Sequence, residues 1–351
     1  RDRIETIPNK PRHSKASKKY KKITLVTPDT PEVTVMADSL YSYNEFLTHH
    51  CLSINATDSE LYDIAKALAG KRTSKQDVEE DIVANLDFSR VQLRRIFSRG
   101  DLTKHGRFYN GWWQSLPSIY RGHITIDGYK TSEVDYSSMS LRIVYALQGI
   151  ERDVADDLYD IGLDNWLGGD DPRRKLIKIF VNALMNDETG NYKLNTAELK
   201  TLGLTHEELL ALVLKTHAPI ADQLTAGIGM KATYLDSQIA ELVMRTMQED
   251  GIVALPIHDS FRVRAGYQQW LTTVMEAAFK AVTSAVVATD ADGPRLSKHF
   301  GMSKGRFKEV EKEHNQDESS SIFNVSDLDY KTLFKETIMK KYLSYWEQWR
   351  T

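Results

Sequence analysis

The strongest constraint on how this chain can fold comes from two short stretches in which apolar and polar residues alternate. Residues 122–135 contain HITID, Gly128 and TSEVD, a period of two broken by a glycine, which predicts a β-hairpin. Residues 252–264 contain IVALP, His258-Asp259 and SFRVR, which predicts a second strand pair with a tight polar tip. Each pair carries an aspartate where a charge is costly. Asp135 ends its strand beside Val134 and precedes a mostly apolar helix, while Asp259 sits between two apolar strands. Singly, Asp135 reads as a helix cap and Asp259 as a turn former.

Jointly they read differently. Two aspartates delivered from adjacent strand ends suit a pair of Mg²⁺ (or Mn²⁺) ions about 3.5–4 Å apart, an arrangement that activates an attacking oxygen and stabilises a leaving one. Magnesium takes oxygen ligands and keeps several waters, so two carboxylates plus substrate phosphates complete such a site. Between them in sequence, DDPRRKLIKIFVNALM predicts a helix capped by Asp170 or Asp171, with Pro172 just inside. Arg174 and Lys178 are four apart there and share a helix face. They form either a solvated basic face or a pair of cations aimed at polyphosphate oxygens.

The rest of the chain reads as mostly helical. Thr30 and Pro31 open a helix over 31–48. KITLVT before it predicts a short strand, and helical patterning recurs near 59–69 and 78–97. SSMSLRIVYALQG predicts a helix stopped by Gly149, and further helices are expected over about 195–227, 233–249 and 267–288. Residues 309–325 are charged and Ser-rich and read as a linker. The last segment, 326–351, spaces its apolar residues for a terminal helix that packs back on the protein or docks a partner.

Net charge is −3, but its distribution is uneven. Residues 1–22 carry nine basic and two acidic residues and read as a flexible basic arm. A second basic stretch, 90–123, interleaves Arg90, Arg94, Arg95, Arg99, Lys104, Arg107 and Arg121 with Phe97, Phe108, Tyr109, Trp112, Trp113 and Tyr120. Cations beside flat rings suit a sugar-phosphate backbone with exposed bases, although part of that aromatic density is core. The single cysteine, Cys51, excludes a disulfide scaffold and a cysteine-based zinc site. The sequence shows neither a secretory signal nor an apolar run of about 18 residues, so the expectation is a cytoplasmic protein with no membrane partner.

The order GRFYNGWWQSLP, VDYSSMSLR, RRKLIKIF, LPIHDSF resembles the motif order of the family A DNA polymerases and their relatives, the single-subunit phage-type RNA polymerases. The resemblance covers residues 106–261. It rests on Gly106-Arg107 with Gln114 and Pro117, on Asp135-Tyr136-Ser137 with Leu141-Arg142, on Arg174 with Lys178, and on His258-Asp259. It implies that Asp135, Asp259 and the Tyr136 carbonyl hold two metal ions, and that Lys178 and Arg174 neutralise the triphosphate of an incoming nucleotide. It further implies nucleic-acid contacts for Arg107, Gln114, Arg142 and His258.

The departures from the pattern are equally informative. DNA-making members carry Glu five residues after the first Asp, where Ser140 stands here, and Ser260 follows Asp259 where Glu is common. Both changes remove bulk or charge near the sugar, so ribonucleotides are expected to be accepted. Asn182 and Asn186 occupy positions where nucleotide-stacking aromatics are expected. Only 124 positions separate Asp135 from Asp259, which implies reduced fingers.

The expected fold class is α+β: a polymerase-like palm with a small antiparallel sheet, reduced helical fingers and a helical N-terminal region. The expected division is a basic arm (1–22), a helical thumb-like or guiding region (23–121), palm (122–149), fingers (150–250), palm (251–308), linker (309–325) and terminal helix (326–351). The expected activity is a primase-like or short-product nucleotidyltransferase acting on single-stranded or primed template with NTPs or dNTPs. Two other readings are template-independent terminal transfer and a catalytically inactive nucleic-acid-binding replication subunit.

Overall fold

The computed structural model describes residues 4–7, 29–69, 87–187 and 192–292. Its first helix, α1 (Pro31–Thr48), starts where the sequence places it: the Thr30 side chain accepts from the Val33 amide, with Pro31 at the first helical position. Strand β2 (Leu52–Ile54) and helix α2 (Asp58–Ala69) follow.

The segment after that departs from expectation. Of the helical patterning expected over 78–97, residues 78–86 lie outside the described residues, and the end of the stretch is a strand, β3 (Arg94–Ser98), paired with β4 (Asp101–Tyr109). Arg99 and Gly100, both at positive φ, make the turn between them. A short segment with ambiguous periodicity is decided by what it packs against, and β3 is hydrogen-bonded on both edges. Its second partner is β1 (Ile4–Ile7), which runs parallel to it with Ile4 opposite Arg95. Ile4 is buried. The start of the arm expected to be flexible is therefore a strand of a three-stranded sheet, and the region expected to be helical contains a hairpin. The remainder of the arm, KITLVT, the linker 309–325 and the terminal segment 326–351 lie outside the described residues.

The second sheet holds both aspartates. Strands β5 (Ile124–Ile126) and β6 (Tyr129–Tyr136) form the first predicted hairpin. Its turn residues Asp127 and Gly128 both have positive φ, as a tight two-residue hairpin requires. Strands β7 (Leu255–Ile257) and β8 (Ser260–Arg264) form the second, joined by His258 and Asp259. The strand order is β2-β5-β6-β8-β7, and β9 (Thr289–Asp292) pairs with the end of β6. All pairings in this sheet are antiparallel.

Alternation gives the sheet two unlike faces. Val134, Tyr136, Phe261 and Val263 are buried on the apolar face. That face meets helix α9 (Gln268–Thr283), where the Tyr136 hydroxyl donates to the Met275 carbonyl at 2.6 Å. The other face carries Thr131, Glu133 and Asp135 opposite Arg264, Arg262 and Ser260.

The helices between the two hairpins are α3 (Met139–Leu147), α4 (Arg174–Asn186), α5 (Thr196–Leu202), α6 (His206–Thr216), α7 (Ala221–Leu224) and α8 (Gly229–Glu249). The helical stretch expected over about 195–227 is divided at Gly203, whose φ of 69° ends α5, and Thr205 caps α6. Helix α4 begins slightly later than expected, with Asp171 accepting from the Arg173 amide ahead of it. The architecture is a mixture of helices and largely antiparallel sheet, compatible with an α+β reading. No helix among the described residues is long and apolar enough to cross a membrane.

Candidate active site

The two hairpins bring Asp135 and Asp259 to one edge of the charged sheet face. Asp135 pairs with Ser260 on β8, one residue past Asp259, and the Tyr136 amide donates to the Asp259 carbonyl at 3.3 Å. On its other edge Asp135 lies opposite Asp290 of β9. Burial and the Asp259 charge push the Asp135 carboxyl up to about 8, and Glu133 adds to the rise while Lys178 opposes it. The Asp135 Oδ1 atom is shut off from solvent and makes no hydrogen bond. A carboxylate crowded by others, with an unpartnered oxygen, fits a bound cation, which would reverse the local pKa logic. Among the described residues no group of three or more His, Cys, Asp or Glu side chains is arranged to hold a metal ion. The residues expected as ligands, Asp135, Asp259 and the Tyr136 carbonyl, are brought to neighbouring positions by the β6–β8 pairing.

Lys178 and Arg174 stand on one face of α4, as their spacing demands, and share a support that the sequence did not reveal. The Tyr159 ring lies under both, 5.0 Å from the Arg174 guanidinium and 5.9 Å from the Lys178 ammonium. Asp157, two residues before it, holds Arg174 through a bidentate pair, with Nε–Oδ2 at 2.9 Å and a terminal nitrogen on Oδ1 at 2.9 Å. Burial and the Asp259 charge raise the Tyr159 hydroxyl well above its usual range. The loop carrying both residues is pinned by Arg142, whose guanidinium donates to the carbonyls of Ser137, Asp153, Val154 and Asp156. Arg142, expected at nucleic acid, is thus committed to the loop that positions the cations.

Arg107 lies on β4 and pairs with Asp236 of α8. Its charge also reaches Asp259. Asp236 is buried, which pushes its carboxyl up to about 6 against the opposing pull of Arg107. Gln114 is bound at both ends: its amide donates to the carbonyls of Phe108 and Pro256 at 3.0 Å and accepts from the Gly111 amide. It therefore ties the segment after β4 to the strand leading to Asp259. His258 adopts φ 58° in the turn and is exposed, with its pKa lowered by its packing and by Arg107. Ser140 is half-buried in the first turn of α3. Asn182 and Asn186 lie on α4, where the Asn186 side chain donates to the Asn182 carbonyl at 2.8 Å, and the Asn182 Oδ1 is buried without a partner.

The basic stretch 90–123 looks different once folded. Arg90 pairs with Asp87, Arg95 with Glu241, Lys104 with Asp101, Arg107 with Asp236 and Arg121 with Glu133. Two of those acids, Glu241 and Asp236, come from distant parts of the chain, so a run that is basic along the sequence is substantially neutralised in space. Phe97, Phe108, Trp112 and Trp113 are core.

Sequence reasoning missed Asp157, Tyr159, Asp236, Glu133 and Asp290. Asp236 left a signal: it falls on the buried stripe of α8 with Ala232, Ile239, Ala240 and Val243. A carboxylate at helical spacing among core residues needs a partner. The others left no comparable signal.

No protein-family model matches the chain, and no curated protein matches it. Among solved structures, one that matches is the POL domain of Pol1 from M. smegmatis in complex with DNA primer-template and dNTP, at a TM-score of 0.40 and 14% identity. The match covers 76% of this chain and 66% of that one, so the chain spans just under two thirds of its length.

Proposed function

We propose that this chain is a nucleic-acid polymerase that transfers nucleotides from nucleoside triphosphates by two-metal-ion phosphoryl transfer. The observation that carries this reading is the placement of Asp135 opposite Ser260 and so beside Asp259, with an unpartnered Asp135 oxygen and Lys178 close enough to counter its crowding.

In this reading Asp135, Asp259 and the Tyr136 carbonyl would hold two Mg²⁺ or Mn²⁺ ions, which would supply activation of the attacking hydroxyl and charge stabilisation at the leaving oxygen. Lys178 and Arg174 receive the triphosphate and take up the charge that grows on the departing pyrophosphate. The strand's 3′ hydroxyl releases its proton to water as its oxygen bonds to the α-phosphorus and the bond to the bridging oxygen of pyrophosphate breaks, with pyrophosphate leaving to solvent. The protein's task is placement and charge compensation, with no covalent intermediate on a side chain. Ser140 leaves space beside the sugar, so ribonucleotides are accepted. A single-stranded or primed template is the nucleic-acid partner, and the segment 326–351 is a candidate dock for a protein partner.

The test is nucleotide incorporation with Mg²⁺ or Mn²⁺ on templates with and without primer, using NTPs and dNTPs separately. Template-dependent product that disappears in both Asp135→Asn and Asp259→Asn supports the reading. Product made equally without template favours terminal transfer, which Asn182 and Asn186 in place of stacking aromatics would explain. Nucleic-acid binding with no product under any condition overturns the enzyme reading. Ser140→Glu should shift selection toward dNTPs, and an unchanged NTP/dNTP ratio would remove Ser140 from the account of sugar choice.

A further inference from the structure

One feature of β4 is unused by the chemistry above. Between the register pairs Ile96–Arg107 and Phe97–His105 the strand spends an extra residue, Gly106, and both His105 (φ 72°) and Gly106 (φ 79°) are left-handed. Glycine adopts that conformation freely, but for His105 it is a strained one. Bulges of this kind re-aim side chains and recur beside active sites.

What the bulge achieves is a contact a regular strand forbids. Residues four apart on a strand are about 13 Å apart, yet the His105 and Tyr109 rings have centroids at 5.8 Å and planes within 14° of each other. His105 Nε2 and the Tyr109 hydroxyl are hydrogen-bonded at 2.7 Å. Rings stacked face to face would hold their atoms about 3.5 Å or more apart, so a bond this short means that they tile edge to edge. The result is a flat surface two rings wide. Both residues are half-buried. Their position is beside the candidate site: Arg107 lies between them on β4, and its charge acts on His105, Tyr109, His258 and Asp259. Burial and the neighbouring Arg107 and His258 charges lower the His105 pKa to about 4, which leaves the imidazole neutral at neutral pH.

We propose that the His105–Tyr109 tile is a stacking platform for the terminal nucleobase of the nucleic-acid strand held beside Asp135 and Asp259. This rests on the polymerase reading for its ligand class. A ring surface suits that task because every base has a π-face, so stacking grips a strand end without reading its sequence. Four of the six aromatic side chains singled out in the 90–123 stretch are core, and Tyr109 is one of the two that keep solvent contact.

The experiment uses the full chain and a primer–template with 2-aminopurine as the primer's 3′-terminal base, without nucleoside triphosphate. The parent should quench the fluorophore on binding. Tyr109→Ala and His105→Gly should lose the quench and bind about tenfold more weakly, in line with what one stacked base contributes. Tyr109→Phe keeps the ring and should stay within about twofold of the parent. Because glycine suits φ 72°, His105→Gly should unfold at the parent's temperature or above while still binding weakly, a combination that a merely structural histidine would not produce. A parent that binds without quenching, Tyr109→Ala behaving as parent, or Tyr109→Phe as damaging as Tyr109→Ala would each overturn the platform. Failure of the polymerase reading is separable. Asp135→Asn should lose incorporation and keep the quench, and a parent that quenches but never incorporates defeats the polymerase while sparing the platform.

Discussion

Glu133 and Asp135 lie two residues apart on β6, on the same face of the sheet, under opposite electrostatic conditions. Glu133 is satisfied: it accepts from Arg262 at 2.8 Å and from the Ser260 hydroxyl at 2.7 Å, and Arg121 stands 3.5 Å away. Asp135 faces Asp259 and Asp290, keeps one oxygen unbonded, and is held above the normal carboxylate range. One carboxylate has its counter-charge within the fold, and the other is crowded by like charge with Lys178 opposing it. Burial alone therefore does not set the state of a carboxylate; what separates these two is whether the fold provides the counter-charge.

Substitutions should divide along that line. The largest effect is expected from Asp135→Asn, which should cut incorporation by roughly a thousandfold or more, since site metals contribute several kcal/mol to such reactions. The same variant should unfold no more easily than the parent. A variant that keeps a tenth of parental activity would make Asp135 dispensable.

Glu133→Ala should do the reverse, costing about 3–5 kcal/mol of stability because it strands the buried Arg262. Chemical denaturation measures this. A loss below about 1 kcal/mol would mean that the sheet does not depend on the pair.

The pH dependence sharpens the contrast. In metal-free buffer the folded chain keeps a proton on Asp135 that the unfolded chain loses above about pH 4. That contribution to stability is complete below pH 4 and is lost as pH rises through about 8. Its slope is at most about 1.4 kcal/mol per pH unit. Asp236, raised to about 6, adds to the same trend only up to that pH. Between pH 6 and 8 the parent should therefore lose stability faster than Asp135→Asn, and Mg²⁺ should flatten the parental curve. Identical slopes with and without Asp135 would contradict the assignment.

The smallest effect concerns the cations. Asp157→Asn loosens Arg174 without removing it, and a partly exposed pair contributes only about 1 kcal/mol or less. The nucleotide KM should rise by up to about fivefold with kcat nearly unchanged. A kcat loss with constant KM would place Asp157 in the chemistry and not in positioning.

Much of the frame was legible because it is local. Thr30 with Pro31, the Asp127-Gly128 turn and the His258-Asp259 tip announce themselves through backbone chemistry confined to a few residues. Helical spacing alone puts Arg174 and Lys178 on one face. The β3 strand was not legible, because its helical look is overruled by strands on both edges, one of them from residues 4–7. The supporting residues were hidden for a related reason. Tyr159 acts through α4, Asp236 through Arg107 on β4, and Arg142 through a loop following its own helix.

The sequence by itself determined which strands would end in aspartates and which helix face would carry two cations, because period and spacing act over a turn or a strand. Only the tertiary structure decided which charges are answered within the fold and which stay crowded by like charge. Arg95, Arg107 and Arg121 look alike along the chain, yet each is answered by a carboxylate more than ten residues away in sequence. Asp135 is answered only in part, by Lys178. Coulomb energy depends on distance and burial, and neither is a property of sequence order.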